Sequence, residues 1–226
     1  MVERTGSTNA DLLAAATAAE GDWLVALVQE VGRGRQGRQW QSLNGNFFAS
    51  TLVALRPSDP SAPSLSLAAG VALIRAVEAA APATGLMLKW PNDLMIGSAK
   101  LGGILLERSG DRLVAGFGVN LAAAPAIADR PTIALSSVAL VTPHSFAPLI
   151  AAAFARALDL WRSDLTRLTT AWLESAHPLG TPLNAHAGPD EMVAGEFAGL
   201  EPDGALRLAL ADGAVRVIHA ADVSLG

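Results

Sequence analysis

Gly32-Arg33-Gly34-Arg35-Gln36-Gly37-Arg38 sets three guanidinium groups and three glycines into seven residues of a chain whose formal net charge is -5. Glycines permit positive φ and let backbone N–H groups come close to an oxyanion, and arginines supply planar, permanently charged forks that match carboxylate or phosphate oxygens. The segment has the chemistry of an anion site. A second cationic feature is set by scarcity: of 16 basic residues 14 are arginine, and the two lysines, Lys89 and Lys100, lie within twelve residues of each other. Lysine is a compact point charge that fits between two ligand oxygens, where the wider arginine fork does not.

Lys89 belongs to Lys89-Trp90-Pro91-Asn92-Asp93-Leu94, in which Pro91 must end the apolar run from Leu86 in a turn, leaving Lys89 at a strand's edge. Asn92 and Asp93 read equally as turn formers. Lys100-Leu101-Gly102-Gly103-Ile104-Leu105 and Gly116-Phe117-Gly118-Val119-Asn120 place paired glycines inside apolar strands, the pattern of a bulge or of close approach by a ligand.

The elements that must position these groups follow from periodicity and turn signals. Ser7-Thr8-Asn9 opens a helix, with Thr8 and Asp11 as a capping box. Strands are expected at 23–28, 47–54, 85–90, 93–96, 101–107 and 112–119, and helices at 64–82 and 145–176. A Pro/Gly connector covers 178–189, and short strands with turns at Pro202-Asp203-Gly204 and Ala211-Asp212-Gly213 form a small C-terminal barrel. The fold expectation is α+β, a mixed and largely antiparallel sheet with helices over 1–178 and the barrel over 179–226.

Several classes are excluded. The literal Gly-x-Gly-x-x-Gly at Gly32, Gly34 and Gly37 opens into no amphipathic helix, and no acid follows between Glu30 and Asp59, so a dinucleotide fold is not expected. No Gly-Lys-Ser/Thr exists for a phosphate loop of the Walker type. The chain has no cysteine, and His144, His177, His186 and His219 lack metal-ligand spacing, so direct metal ligation is not expected. No apolar run of about 18 residues suits a bilayer, no signal peptide is evident, and a pI near 5.3 argues against a nucleic-acid surface. The cytoplasm is the expected compartment.

Taken together, Ser7-Thr8-Asn9, Gln29, Gly32 to Arg38, Lys89-Trp90-Pro91-Asn92-Asp93, Lys100 to Leu105 and Gly116 to Asn120 resemble, in order and spacing, the motifs of biotin protein ligases. The resemblance covers essentially the whole chain, including Gly195-Glu196-Phe197 to Val223-Ser224-Leu225, which looks like that family's SH3-like barrel. It implies a catalytic domain like that of class II aminoacyl-tRNA synthetases. Ser7 comes too early for the DNA-binding domain of the regulatory members, so an enzyme alone is expected.

The resemblance further implies that biotin is activated with Mg-ATP to biotinyl-5'-AMP and passed to one lysine of a biotin carboxyl carrier protein, such as that of acetyl-CoA carboxylase. Lys89 and Arg35 are the implied catalytic cations. Ser7, Thr8, Asn9, Gln29, Gly32, Arg33, Gly34, Arg35, Lys89, Gly102, Gly103, Gly116 and Gly118 would bind biotin. Arg33, Arg35, Arg38, Trp40, Lys89, Asn92 and Asn120 would take the nucleotide, with Asp93 near Mg²⁺ through water. Trp40 reads equally as an adenine platform or as loop packing, and Ser7 or Thr8 as a helix cap. Gln36 has no assigned role. A homodimer is allowed, and nucleic acid or membrane partners are not expected. Two other readings remain: a lipoate ligase on the same fold, which the polar Ser-Thr-Asn and Gln29 group disfavours, and an Arg/Gly nucleic-acid module, which the negative charge disfavours.

Overall fold

The computed structural model describes residues 1–82, 85–128, 130–186, 191–219 and 221–226. Alternation of side chains along strands decides what the large sheet can do with its two faces. Its strands are β1 (Val2–Thr5), β2 (Trp23–Gln29), β3 (Phe47–Ala54), β4 (Leu86–Lys89), β5 (Asp93–Ile96), β6 (Ala99–Ser109) and β7 (Arg112–Val119), in the order β1-β2-β3-β7-β6-β5-β4. Only β1 runs parallel to its neighbour, so the sheet is mixed and largely antiparallel, as expected. The sequence reading had no strand at β1, whose Val2, Glu3 and Arg4 are exposed on the sheet's edge and carry no apolar alternation.

Phe47, Ala49 and Val53 of β3 and Leu113, Ala115 and Phe117 of β7 turn one face toward α2 (Leu65–Ala80) and α3 (Pro143–Ser163), where they form the main core. Trp23, Phe117 and Phe154 meet there with ring centroids 5.7 to 5.9 Å apart. Ser50 and Leu52, with Val114, Gly116 and Gly118, lie in the opposite register, toward α1 (Thr8–Ala14) and the cleft. The same two-residue period splits the neighbours Gly102 and Gly103. A Cβ on Gly102 would meet Leu73 of α2 at 3.7 Å, whereas one on Gly103 would meet Lys100 and Trp40 on the cleft side.

Residues 62–80 are long and apolar enough to cross a bilayer, contrary to the expectation that no stretch would be; their burial beneath α3 and against the sheet accounts for the composition. The helix expected over 145–176 is two helices. Asp164 leaves the helical region at φ -154°, ψ 79°, and its carboxylate accepts from Arg167 N at 2.9 Å, capping α4 (Leu165–Glu174). Arg162 at the end of α3 bonds Glu20 through two nitrogens, at 2.8 and 2.7 Å, and Asp59 at 3.1 Å, tying the helix to the segments that precede β2 and follow β3. That pairing holds Glu20 below the usual carboxylate range and Arg162 above its ordinary value.

The C-terminal segment forms a five-stranded antiparallel sheet from β8 (Pro182–His186), β9 (Met192–Leu200), β10 (Leu206–Ala209), β11 (Val215–Ile218) and β12 (Asp222–Leu225), ordered β11-β10-β9-β8-β12. β8 occupies part of the expected connector, 178–181 lead into it through a turn, and 187–189 lie outside the described residues. Trp90 Nε1 donates to Gly204 O at 2.9 Å, joining this sheet to the turn after β4.

Candidate active site

A cleft of about 1280 Å³ opens on the face of the large sheet opposite α2. Its volume exceeds that of an ordinary single-ligand pocket, leaving room for two substrates side by side. Its lining brings together Ser7, Thr8, Asn9 and Gln29 with Arg33, Gly34, Arg35, Arg38 and Trp40, and with Lys89, Asn92, Asp93, Gly103, Gly116, Gly118 and Asn120.

One end is neutral and internally bonded. Ser7, not Thr8, caps α1, its Oγ accepting from Ala10 N. Thr8 is thereby free to donate through N and Oγ1 to Gln29 Oε1, at 2.8 and 3.0 Å. Ser50 lies within hydrogen-bond distance of Thr8 Oγ1 at 2.7 Å and of Asn9 Oδ1 at 2.6 Å, and Asn9 Nδ2 donates to Leu105 O at 3.2 Å. Sequence reasoning missed Ser50; its one signal was a hydroxyl interrupting the apolar run 47–54. Gly116 is required by this network, because a Cβ there would stand 2.1 Å from Asn9 Oδ1.

The other end is charged. Gly34 N donates to Arg38 O at 2.7 Å and Trp40 N to Gly32 O at 2.9 Å, so the Gly/Arg segment folds back on itself around a 3₁₀ turn, Arg35–Gly37. Gly37, at φ +72°, makes that reversal possible. Gly32 is not among the residues lining the cleft: a Cβ there would meet Trp40 O at 2.8 Å, so the position closes the loop's neck. Gly102 is likewise outside the cleft, turned toward α2 by strand alternation.

The loop's arginines rest on carboxylates. Arg33 pairs with Glu107 at 3.6 Å, Arg38 bonds Asp222, and Arg35 reaches Ala221 O at 3.0 Å, Asn92 Oδ1 at 3.5 Å and Asp222 at 3.9 Å. Burial, against the pull of Asp222 and Asp93, lowers the Arg35 pKa from its ordinary value, though it stays charged at neutral pH. Asp222 starts β12 of the C-terminal sheet, and no sequence motif marked it.

Lys89 and Asp93 face each other across the β4–β5 hairpin, Nζ 3.2 Å from Oδ2, and Lys100 Nζ stands 2.5 Å from Oδ1. Burial of Asp93 opposes its ionisation, but Lys100 and Lys89 outweigh that and hold the carboxyl below the usual range. Asn92 is bonded through its side chain and backbone to Ile104, and Asn120 donates to Ile133 O, so both already brace loops. The Trp40 indole lies on the glycine floor, where a Cβ on Gly118 would meet it at 2.5 Å, and its buried Nε1 has no partner among the described residues. His177 packs behind Lys89, and burial, then Lys89, lowers its pKa. Among the described residues no group of three His, Cys, Asp or Glu side chains could hold a metal ion.

A sheet-floored cleft with neutral hydrogen-bonding groups at one end and clustered cations at the other suits a ligase that joins an acid to a nucleotide, and the chain belongs to the biotin/lipoate A/B protein ligase family, whose model matches residues 1–121. Residues 180–226 match the biotin protein ligase C terminal domain, which places it in the biotin branch. It is 40% identical to the biotin–[acetyl-CoA-carboxylase] ligase of Paracoccus denitrificans, with 100% of both chains covered. It is 32% identical to the ligase of the same name from Mycobacterium tuberculosis, over 99% of this chain and 87% of the relative. Its fold superposes with a TM-score of 0.86 on a biotin protein ligase from Aquifex aeolicus in complex with biotin and ATP, at 22% identity, covering 100% and 97% of the two chains. A Leishmania major biotin protein ligase in complex with biotinyl-5-AMP matches with a TM-score of 0.68 at 27% identity, covering 97% of each.

Proposed function

We propose that this ligase activates biotin with Mg-ATP and transfers the biotinyl group to one lysine of a biotin carboxyl carrier domain, of the acetyl-CoA carboxylase type, in the cytoplasm. In the first step a biotin carboxylate oxygen attacks the α-phosphorus, the bond to the bridging oxygen breaks, and pyrophosphate leaves. Two anions must meet, so fixed cations have to offset their repulsion and the charge that develops between them. The observation that carries the reading is the convergence of Lys89, Arg35 and Arg38 on one cleft whose far end holds Ser7, Thr8, Asn9 and Gln29. Those neutral donors and acceptors suit a ureido ring, which both donates and accepts. Mg²⁺ comes with ATP as part of the substrate, and Asp93 or Asn92 would meet it through water.

In the second step the carrier amine attacks the acyl carbon, the C–O bond to AMP breaks, and a proton is released. The mixed anhydride is already activated, so closeness and exclusion of water are what the protein has to supply. The boundary between the catalytic domain, 1–178, and the C-terminal domain, 179–226, falls just before β8, and Asp222 beside Arg35 and Arg38 supports a role for the second domain in closing the nucleotide end. The test is ATP-dependent incorporation of labelled biotin, with labelled lipoate in parallel, into an isolated carrier domain. Incorporation of biotin alone is expected; incorporation of lipoate alone would overturn the assignment.

A further inference from the structure

Ser50 on β3 is fully buried and is not among the residues lining the cleft, yet it touches two that are, Thr8 and Asn9. The direction of each hydrogen bond around it follows from which atoms carry protons. Leu105 O can only accept, so the Asn9 atom 3.2 Å from it is Nδ2, and the amide oxygen Oδ1 faces Ser50 Oγ at 2.6 Å. A backbone N–H can only donate, so the Gln29 atom 2.8 Å from Thr8 N is Oε1. Asn9 Oδ1, Ser50 Oγ, Thr8 Oγ1 and Gln29 Oε1 therefore form a row of oxygens with successive contacts of 2.6, 2.7 and 3.0 Å. The amide oxygens at its ends carry no proton, so two hydroxyl protons must serve three contacts. The Thr8 hydroxyl can reach either Gln29 Oε1 or Ser50 Oγ, but its one proton serves only one of them.

Two oxygens with no hydrogen between them repel most where they are closest, so the contact left without a proton is the longest, between Thr8 and Gln29. Ser50 then gives its own proton to Asn9 and takes that of Thr8, and Thr8 Oγ1 and Gln29 Oε1 offer a ligand lone pairs alone. We infer that Ser50 determines specificity at the neutral end of the cleft: by drawing the Thr8 proton inward it makes Thr8 Oγ1 an obligatory acceptor, which selects a substrate ring with an N–H at that place over one with an oxygen. Ser50 is a positioning residue, acting through Thr8. The inference rests on the functional reading above and deepens it, since a ureido ring carries such an N–H. Without the serine the Thr8 hydroxyl turns freely, donating to an incoming oxygen or accepting from an incoming N–H.

The experiment measures, by competition against labelled biotin, how tightly the full chain binds biotin and the two carbamate analogues in which a ring oxygen replaces one ureido N–H. Wild type, Ser50→Ala and Ser50→Cys are compared. The wild type should bind the poorer carbamate about 10²-fold less tightly than biotin, the loss expected when buried acceptors meet a lone pair in place of a proton. In Ser50→Ala biotin should weaken about tenfold and that ratio should fall about tenfold, because the freed Thr8 proton can meet the ring oxygen. Ser50→Cys fills the space with a weak donor and acceptor and should move the ratio the same way, which keeps the test decisive if the alanine variant does not fold. A serine that served only to pack β3 against α1 would weaken both ligands equally and leave the ratio alone. A folded variant whose ratio stays within about threefold of wild type would overturn the inference, as would a wild type that binds both carbamates within about threefold of biotin. Failure of the wild type to bind biotin would overturn the functional reading and this inference with it, whereas normal biotin binding confines either failure to Ser50.

Discussion

The two ends of the cleft are built on opposite principles. At one end Thr8, Asn9 and Ser50 are buried and, with the half-buried Gln29, bonded to one another, and the buried Ser7 caps α1, so their geometry is set before any ligand arrives. Around the Gly/Arg loop the arginine side chains are 25% to 56% exposed and rest on the protein's own acids, Glu107 and Asp222. A neutral ring can enter the first end by satisfying groups already in place. A nucleotide must displace protein carboxylates from the second, which makes its ordering depend on the ligand's charge.

The largest expected effect comes where the two ends meet. Lys89→Ala should lower biotin-dependent pyrophosphate exchange by about 10²- to 10³-fold while the thermal melt stays near wild type, and Lys89→Arg should remain poor because a fork replaces a point charge. Wild-type exchange in either variant would remove Lys89 from the chemistry.

At the neutral end, Gly116→Ala forces Asn9 out of the Ser50 and Leu105 bonds. Biotin binding by calorimetry should weaken about 10- to 100-fold, with ATP binding changed less than about threefold. Equal loss of both ligands would mean that the two ends are not independent.

At the charged end, Arg35→Gly removes charge-assisted hydrogen bonds and loosens the loop, so the adenylate should escape about tenfold faster. A lysine-rich bystander protein, probed on an avidin blot after incubation with biotin and Mg-ATP, should then be labelled by the variant and not by the wild type. Equal low labelling with unchanged carrier biotinylation would show that Arg35 does not retain the intermediate.

The smallest effect is expected from Asp222→Asn. Freeing Arg35 and Arg38 from a competing carboxylate should tighten ATP by about threefold at low salt, the difference fading as salt screens the partly exposed pair. Weaker ATP binding in this variant would mean that Asp222 organises the loop instead of competing for it.

The same contrast governed what could be read in advance. The strand-turn-strand around Pro91, β3 and the core helix α2 declared themselves through proline, glycine and apolar periodicity, which are local signals. Gly102 and Gly103 look identical in sequence and only pairing with β7 assigns one to α2 and the other to the cleft. Ser50 announced little, since a serine inside a strand is ordinary until Asn9 is seen beside it. Asp222 announced nothing: its importance depends on a contact spanning 184 residues of chain to Arg38. Gly32 was grouped with the other glycines of the loop, and the backbone crossing at Trp40 shows that a side chain there would have no room.

Both ε-amines of this chain lie in one cleft, held to one carboxylate, with side chains 15% and 31% exposed. Reagents that acylate or alkylate lysine therefore have, besides the N-terminus, only the reaction centre to modify. Such a reagent becomes a titrant: its stoichiometry should count competent sites, and protection by biotin and ATP should report occupancy without any carrier present. Coupling to a surface through lysine would inactivate the enzyme, and immobilisation has to use carboxylates or the N-terminal amine.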